Sequence, residues 1–248
     1  MNVFRNVVFV AALAGLLAGL LMAAMQAYAT VPLILEAETY EGAGHSHDHG
    51  SAPAEVHSHE PGAAAHSHDE EGWAPADGFE RFFFTSMANI VTAIGFGLLL
   101  VVASELAGGI AGWRQGMLWG LAGFAVFTLA PTLGLPPELP GMPAADLAAR
   151  QLWWVGTAVA TAAGLALVAF GRSALWAIAG VALIVAPHLS GAPQPDSHDS
   201  AVPAELHRRF VVATTVTSLV FWVVLGAFCG FFRQRIAIPA AGTRESLA

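Results

Sequence analysis

Histidine recurs at every second position in three places: His45-Ser46-His47-Asp48-His49, His57-Ser58-His59 and His66-Ser67-His68, the last followed by Asp69, Glu70 and Glu71. Imidazole is a good ligand for divalent first-row ions, and His-x-His on a pliant backbone brings two rings together beside carboxylates that can fill the remaining positions. Seven of the chain's ten histidines lie in this stretch, which therefore reads as a capture segment for one or more divalent transition metals. Flexible ligands follow the general affinity order, so the pattern alone does not choose Co2+ over Ni2+ or Zn2+. Low-complexity drift in an exposed linker, or a pH-sensitive patch, is the alternative these residues leave open.

The surroundings of that stretch are unlike it. The chain has 248 residues, 56% hydrophobic and 11% charged, with a mean hydropathy of +0.61. Charge-free runs at 6–35, 82–104, 115–137, 151–171, 173–195 and 210–232 are each long enough for a helix of about 20 residues to cross the hydrocarbon layer. The expected fold is all-α, a polytopic transmembrane helical bundle of six spans. Arg5 and the triplet Ala27-Tyr28-Ala29 also fit a cleavable leader, which would leave five spans. The apolar core from Val7 to Ala29 is longer than the roughly 7–15 residues of such leaders, so it is read as a retained span. The expected layout is a first span in 1–35, a His- and acid-rich extracytoplasmic loop in 36–81 that is disordered without metal, a five-helix bundle in 82–232 and a short cytoplasmic tail in 233–248.

APTLG at 130–134 resembles APHLSG at 186–191, and RFFFT, RQLWW and RRFVV open the second, fourth and sixth runs. Three repeated helical hairpins would explain this, and so would proline and arginine marking helix ends. Small residues four apart (Gly15 and Gly19; Gly112, Gly116 and Gly120; Gly156, Ala160 and Gly164; Gly226 and Gly230) predict closely packed helices. Aromatic residues near the run ends, Trp153, Trp154 and Trp176 among them, read as interfacial anchors.

Alternating crossings put six arginines on one side and four on the other, which makes the first side cytoplasmic. All histidines and all acidic residues except Glu105 and Glu245 then lie on the outer side, an acidic, imidazole-rich face suited to cations and not to nucleic acid. The chain has no lysine, so a Walker A loop cannot be built and no ATPase domain of that kind is present. A single cysteine, Cys229, excludes an intrachain disulfide and a thiolate cluster. No H-E-x-x-H motif or nucleophile elbow occurs, so an enzyme is not expected.

A transporter needs a second, narrower site, and intramembrane polar groups are the candidates. His188 follows Pro187, whose missing N–H loosens the helix; a helix-end histidine bonded to a neighbouring carbonyl is the plainer reading. Met22, Met25 and Gln26 share a face of the first run, and Asn89 lies in the second, though methionine there is more often core filler. Glu105 is expected to pair with Arg114. Glu138, in Pro136-Pro137-Glu138-Leu139-Pro140-Gly141, sits on a stiff turn that could act as a gate or merely as a turn.

Taken together, MNVFRNVVFVAALAGLLAG, the histidine repeats, APTLGLPPELPG (130–141), DLAARQLWW (146–154), APHLSGAPQP (186–195) and VPAELHRRF (202–210) resemble the CbtA family, predicted cobalt transporter subunits found with vitamin B12 biosynthesis genes. The resemblance implies cobalt uptake through a bacterial inner membrane, with a small single-span His-rich partner, CbtB, and no tightly bound cofactor. That family is described with five spans, one fewer than the runs counted above. The competing expectation is a non-transporting membrane metal buffer or sensor, or a carrier of nickel or zinc.

Overall fold

The computed structural model describes residues 2–43, 75–76, 78–197 and 199–236, and among these all regular structure is helical. The elements are α1 (Asn2–Ala29), α2 (Val31–Ala43), α3 (Phe79–Leu106), α4 (Trp113–Phe124), α5 (Ala130–Gly134), α6 (Leu147–Phe170), α7 (Ala174–Ser190) and α8 (Ala204–Ile236). One π-helical turn, Ala125–Leu129, joins α4 to α5, so Trp113–Gly134 runs as one helix.

Five helices are long and apolar enough to cross a membrane: Phe4–Ala29, α3, Trp113–Gly134, α6 and α8. The sixth charge-free run forms a shorter apolar helix, α7, of 17 residues, about 26 Å at 1.5 Å per residue, the low end of a spanning length. It stops at Ser190 because Gly191 turns the chain at φ 79° and Pro193 and Pro195 cannot continue a helix. α7 nevertheless lies antiparallel to α6 from end to end: Trp176 meets Gly171, Gly180 meets Gly164, and Pro187 meets Trp153. The difference between six runs and five long helices is therefore α7.

α1 passes through the centre of the bundle, with Val10, Ala11, Ala14 and Ala18 fully buried, and packs on α3 and α8. Residue 35 is not where this helical segment ends. Thr30 and Pro32 interrupt α1, and the chain then continues as α2 to Ala43. Leu33 and Ala37 of α2 join Leu139, Val202, Leu206 and Phe210 in a second apolar cluster, and Glu38 pairs with Arg81 at 2.7 Å. Burial of that α2 face explains why a segment carrying three glutamates is helical: tertiary packing, more than propensity, stabilises short helices.

Packing partners differ from three sequential hairpins. α1 and α3 do pair, but α4 packs chiefly on α8, and α6 on α7. Glycine decides these pairs, because helices in lipid gain from close van der Waals approach. A Cβ at Gly116 would collide with the Gly226 carbonyl, one at Gly120 with the Trp222 carbonyl, and one at Gly15 would sit 2.5 Å from the Ile94 nitrogen. Around Gly156, by contrast, a Cβ meets open space. Gly116→Ala is therefore expected to destabilise the protein by about 2 kcal/mol through overpacking against backbone, while Gly156→Ala leaves the unfolding temperature in detergent unchanged or slightly raised. Equal unfolding temperatures for parent and Gly116→Ala would refute close α4–α8 packing.

Candidate metal-handling site

The local sequence places each candidate side chain. Asp146 caps α6, its Oδ1 accepting the Ala149 N–H at 2.8 Å, as short acidic residues do at a helix start. This fixes the direction of α6 and the positions of Arg150, Trp153 and Trp154 on it. Arg150 reaches back to Glu138 at 2.9 Å, and the His207 ring nitrogen Nε2 lies 3.0 Å from the Pro137 carbonyl oxygen. The proline-rich turn is thus clamped from α6 on one side and α8 on the other. Glu138 is not an unengaged carboxylate, and a cation approaching it meets Arg150 as well.

Gln26 and Asn89 are brought together across the α1–α3 interface, the Asn89 amide donating to Gln26 Oε1 at 2.6 Å. This meets the need of both groups inside an apolar layer. Met22 and Met25 pack against the main apolar cluster, which is the core-filling role of methionine.

His188 lies in the last turn of α7, its ring 5.8 Å from that of Trp153 and nearly perpendicular to it. The Trp153 indole N–H donates to the Pro187 carbonyl at 3.3 Å. Trp154 stacks toward Phe127 of the π-helical turn at 6.2 Å. Both tryptophans thus contact neighbouring helices, while Trp113 and Trp176 are about half exposed.

Glu105, near the C-terminal end of α3, is paired, with Arg233 and not with Arg114. The Arg233 guanidinium donates through NH2 to Glu105 Oε2 at 3.0 Å and through NH1 to the Ile110 carbonyl at 2.6 Å, while Arg114 lies over the Trp113 ring. Arg114 is near in sequence, but the last turn of α8 reaches the α3–α4 link, where Gly109, at φ 84°, leaves room for the guanidinium. The signal missed in the sequence was Gly108-Gly109 beside an arginine-ended apolar run.

His45, His47, His49, His57, His59, His66 and His68 lie outside the described residues. Among the described residues, no group of three or more His, Cys, Asp or Glu side chains converges. An apolar cleft of about 750 Å³ opens between α3, α4 and α6, walled by residues such as Leu99, Ala103, Leu118, Ala122 and Leu165. A surface of that kind suits hydrocarbon and offers an ion nothing. Two further polar groups were not anticipated: the Thr157 and Thr161 hydroxyls, buried on α6 without a protein partner.

Apolar helices of spanning length, glycine-mediated contacts and polar groups confined to helix ends and interfaces define a multi-pass helical membrane protein. The chain belongs to the CbtA family, described as "Probable cobalt transporter subunit (CbtA)", which matches residues 4–234. No curated protein and no solved structure matches it.

Proposed function

We propose that this protein is the multi-pass subunit of a divalent transition-metal uptake transporter with cobalt as its cargo, seated in the bacterial inner membrane. The observation that carries this reading is the family match across residues 4–234 in a chain that also places seven histidines, in His-x-His repeats, between its first two long apolar helices. The repeats lie on the outer side in this reading, where arginine is scarcer, and gather the ion there. His188 then receives it at the head of the α6–α7 pair. Gln26, Asn89, Met22 and Glu138, also near outer helix ends, are the other polar or soft groups along the approach.

Moving a doubly charged ion inward down the membrane potential supplies about 2.3 kcal/mol per charge per 100 mV, so transport requires no hydrolase in the same chain. A transporter subunit works with others, and the partner expected here is a small single-span protein of the CbtB kind with its own histidine-rich end.

Radioactive cobalt uptake into proteoliposomes, under an inward-driving potential and with the small partner supplied, tests this reading. Saturable uptake reduced by His188→Ala and competed by nickel or zinc according to their affinity is the expected result. Metal bound at the outer face with none crossing would replace the transporter with a buffer or sensor.

A further inference from the structure

Thr157 is fully buried and Thr161 is 2% exposed, and neither hydroxyl hydrogen-bonds to any of the described residues. That is unusual within this bundle. Thr30, Thr214, Thr215 and Thr217 all return their hydroxyls to a carbonyl one turn back, at 2.7–3.2 Å, the ordinary way a helical threonine satisfies itself. A buried hydroxyl without a partner is costly in a low-dielectric interior and calls for an explanation.

Their position supplies one. Trp153 and Gly164 mark the α6 face turned to α7, since Trp153 touches Pro187 and His188 while Gly164 abuts Ile184 and Gly180. Trp154 marks the adjoining face, turned to Phe127 of the π-helical turn. Thr157 and Thr161 follow Trp153 at four-residue steps and fall on the arc between those two faces. They therefore face the seam where α6, α7 and the π-helical turn meet.

Two prolines border the same seam: Pro187 of α7, whose carbonyl accepts the Trp153 indole N–H, and Pro131, which follows the π-helical turn at the start of α5; neither has an N–H to give its helix. The π-helical geometry between α4 and α5 fits such a place, since wide turns of this kind are frequent at functional sites. Above the hydroxyls, the Trp153 ring packs against Gly134 and closes the outer end, with His188 beside it.

We propose that the Thr157 and Thr161 hydroxyls, at the seam bordered by Pro187 and Pro131, form an oxygen-lined step inside the membrane through which a partly hydrated divalent cation passes after leaving His188. The assignment rests on the transporter reading above and names its path. Neutral oxygen donors suit transit: they replace water around the ion yet hold a first-row metal less firmly than imidazole does, so the ion can leave inward. Trp153 governs access to the step from outside.

The test uses the full chain in proteoliposomes with the small partner, after Cys229→Ser removes the single, buried thiol. Thr157→Cys and Thr161→Cys are each treated with a cationic, water-soluble thiosulfonate, and Ala14→Cys, fully buried on α1, serves as the reference. Modification of the first two at least about tenfold faster than the reference, and slowed by millimolar Co2+, is expected. Independently, the shape-conserving pair Thr157→Val with Thr161→Val is expected to cut maximal cobalt uptake at least about tenfold and leave outer-face cobalt binding unchanged. The corresponding serine pair should restore uptake. Thiols as inert as the reference, together with normal uptake by the valine pair, overturn the path while transport stands. Cobalt bound but not moved by the Cys229→Ser parent and by the unmodified protein alike overturns the transporter reading and this step with it.

Discussion

Arg233→Ala is expected to lower the unfolding temperature more than any other single change at the end of the bundle where α8 finishes. Arg233 is 7% exposed and its guanidinium engages the Glu105 carboxylate and the Ile110 carbonyl together. Truncation leaves both acceptors without their donor where water has little access, and breaking such a buried pair costs about 3–5 kcal/mol. Glu105 keeps some contact with solvent at 21% exposure, so the lower end of that range is the better figure. For a chain of this size this corresponds to roughly 6–12 °C. Arg233→Lys should recover only part of the loss, because an ammonium cannot reproduce the planar fork. Gly109→Ala should mimic the arginine change, since a Cβ there collides with the guanidinium and the backbone sits at φ 84°. Thermal unfolding in detergent, followed by tryptophan fluorescence, measures all three, and an Arg233→Ala protein as stable as the parent would refute this lock.

Deletion of residues 42–71 is the second change with a large expected effect. It removes seven imidazoles and their neighbouring carboxylates, so the half-saturating cobalt concentration for uptake should rise at least about tenfold, equivalent to about 1.4 kcal/mol of capture. The maximal rate should change little, because the bundle is intact. Acid should act on the parent in the same direction. Imidazole binds metal only when deprotonated, so metal bound per chain falls as pH is lowered, and the deletion variant, which keeps His188, should show much less of that dependence. Equilibrium dialysis with Co2+ across a pH series measures the binding, and uptake measures the rate. A deletion that abolishes uptake at every cobalt concentration would mean the segment is the only metal site, as in a buffer.

Much of the architecture was legible because hydrophobic length and glycine spacing are one-dimensional signals. The charge-free runs correspond to the long helices and α7, and the Gly116–Gly120 and Gly226–Gly230 steps meet in one interface. Gly156 carried the same spacing and meets open space, since a small-residue pattern says that a close approach is possible and not that a neighbour is there. Pairing order was not legible either. Short links favour sequence neighbours, but α4 finds α8 and α7 leaves α8 for α6, because the glycine faces that fit are far apart in the chain.

Site residues divided in the same way. Gln26 and Asn89 were singled out as isolated intramembrane amides, and the fold joins them at 2.6 Å. Glu105 was matched to Arg114 by proximity in sequence, whereas its partner stands at the far end of α8. Thr157 and Thr161 carried no sequence signal, because a helical threonine ordinarily bonds to its own backbone and only the packed structure leaves these two unanswered.

By itself, the sequence determined a helical membrane protein with a histidine- and acid-rich segment between its first two long helices, because water's aversion to apolar side chains depends on residue type and local spacing alone. Tertiary structure alone decided which helices touch, which charges pair and which hydroxyls stay without partners. Those outcomes depend on side chains distant in the chain meeting in a medium where an unpaired polar group cannot turn to water.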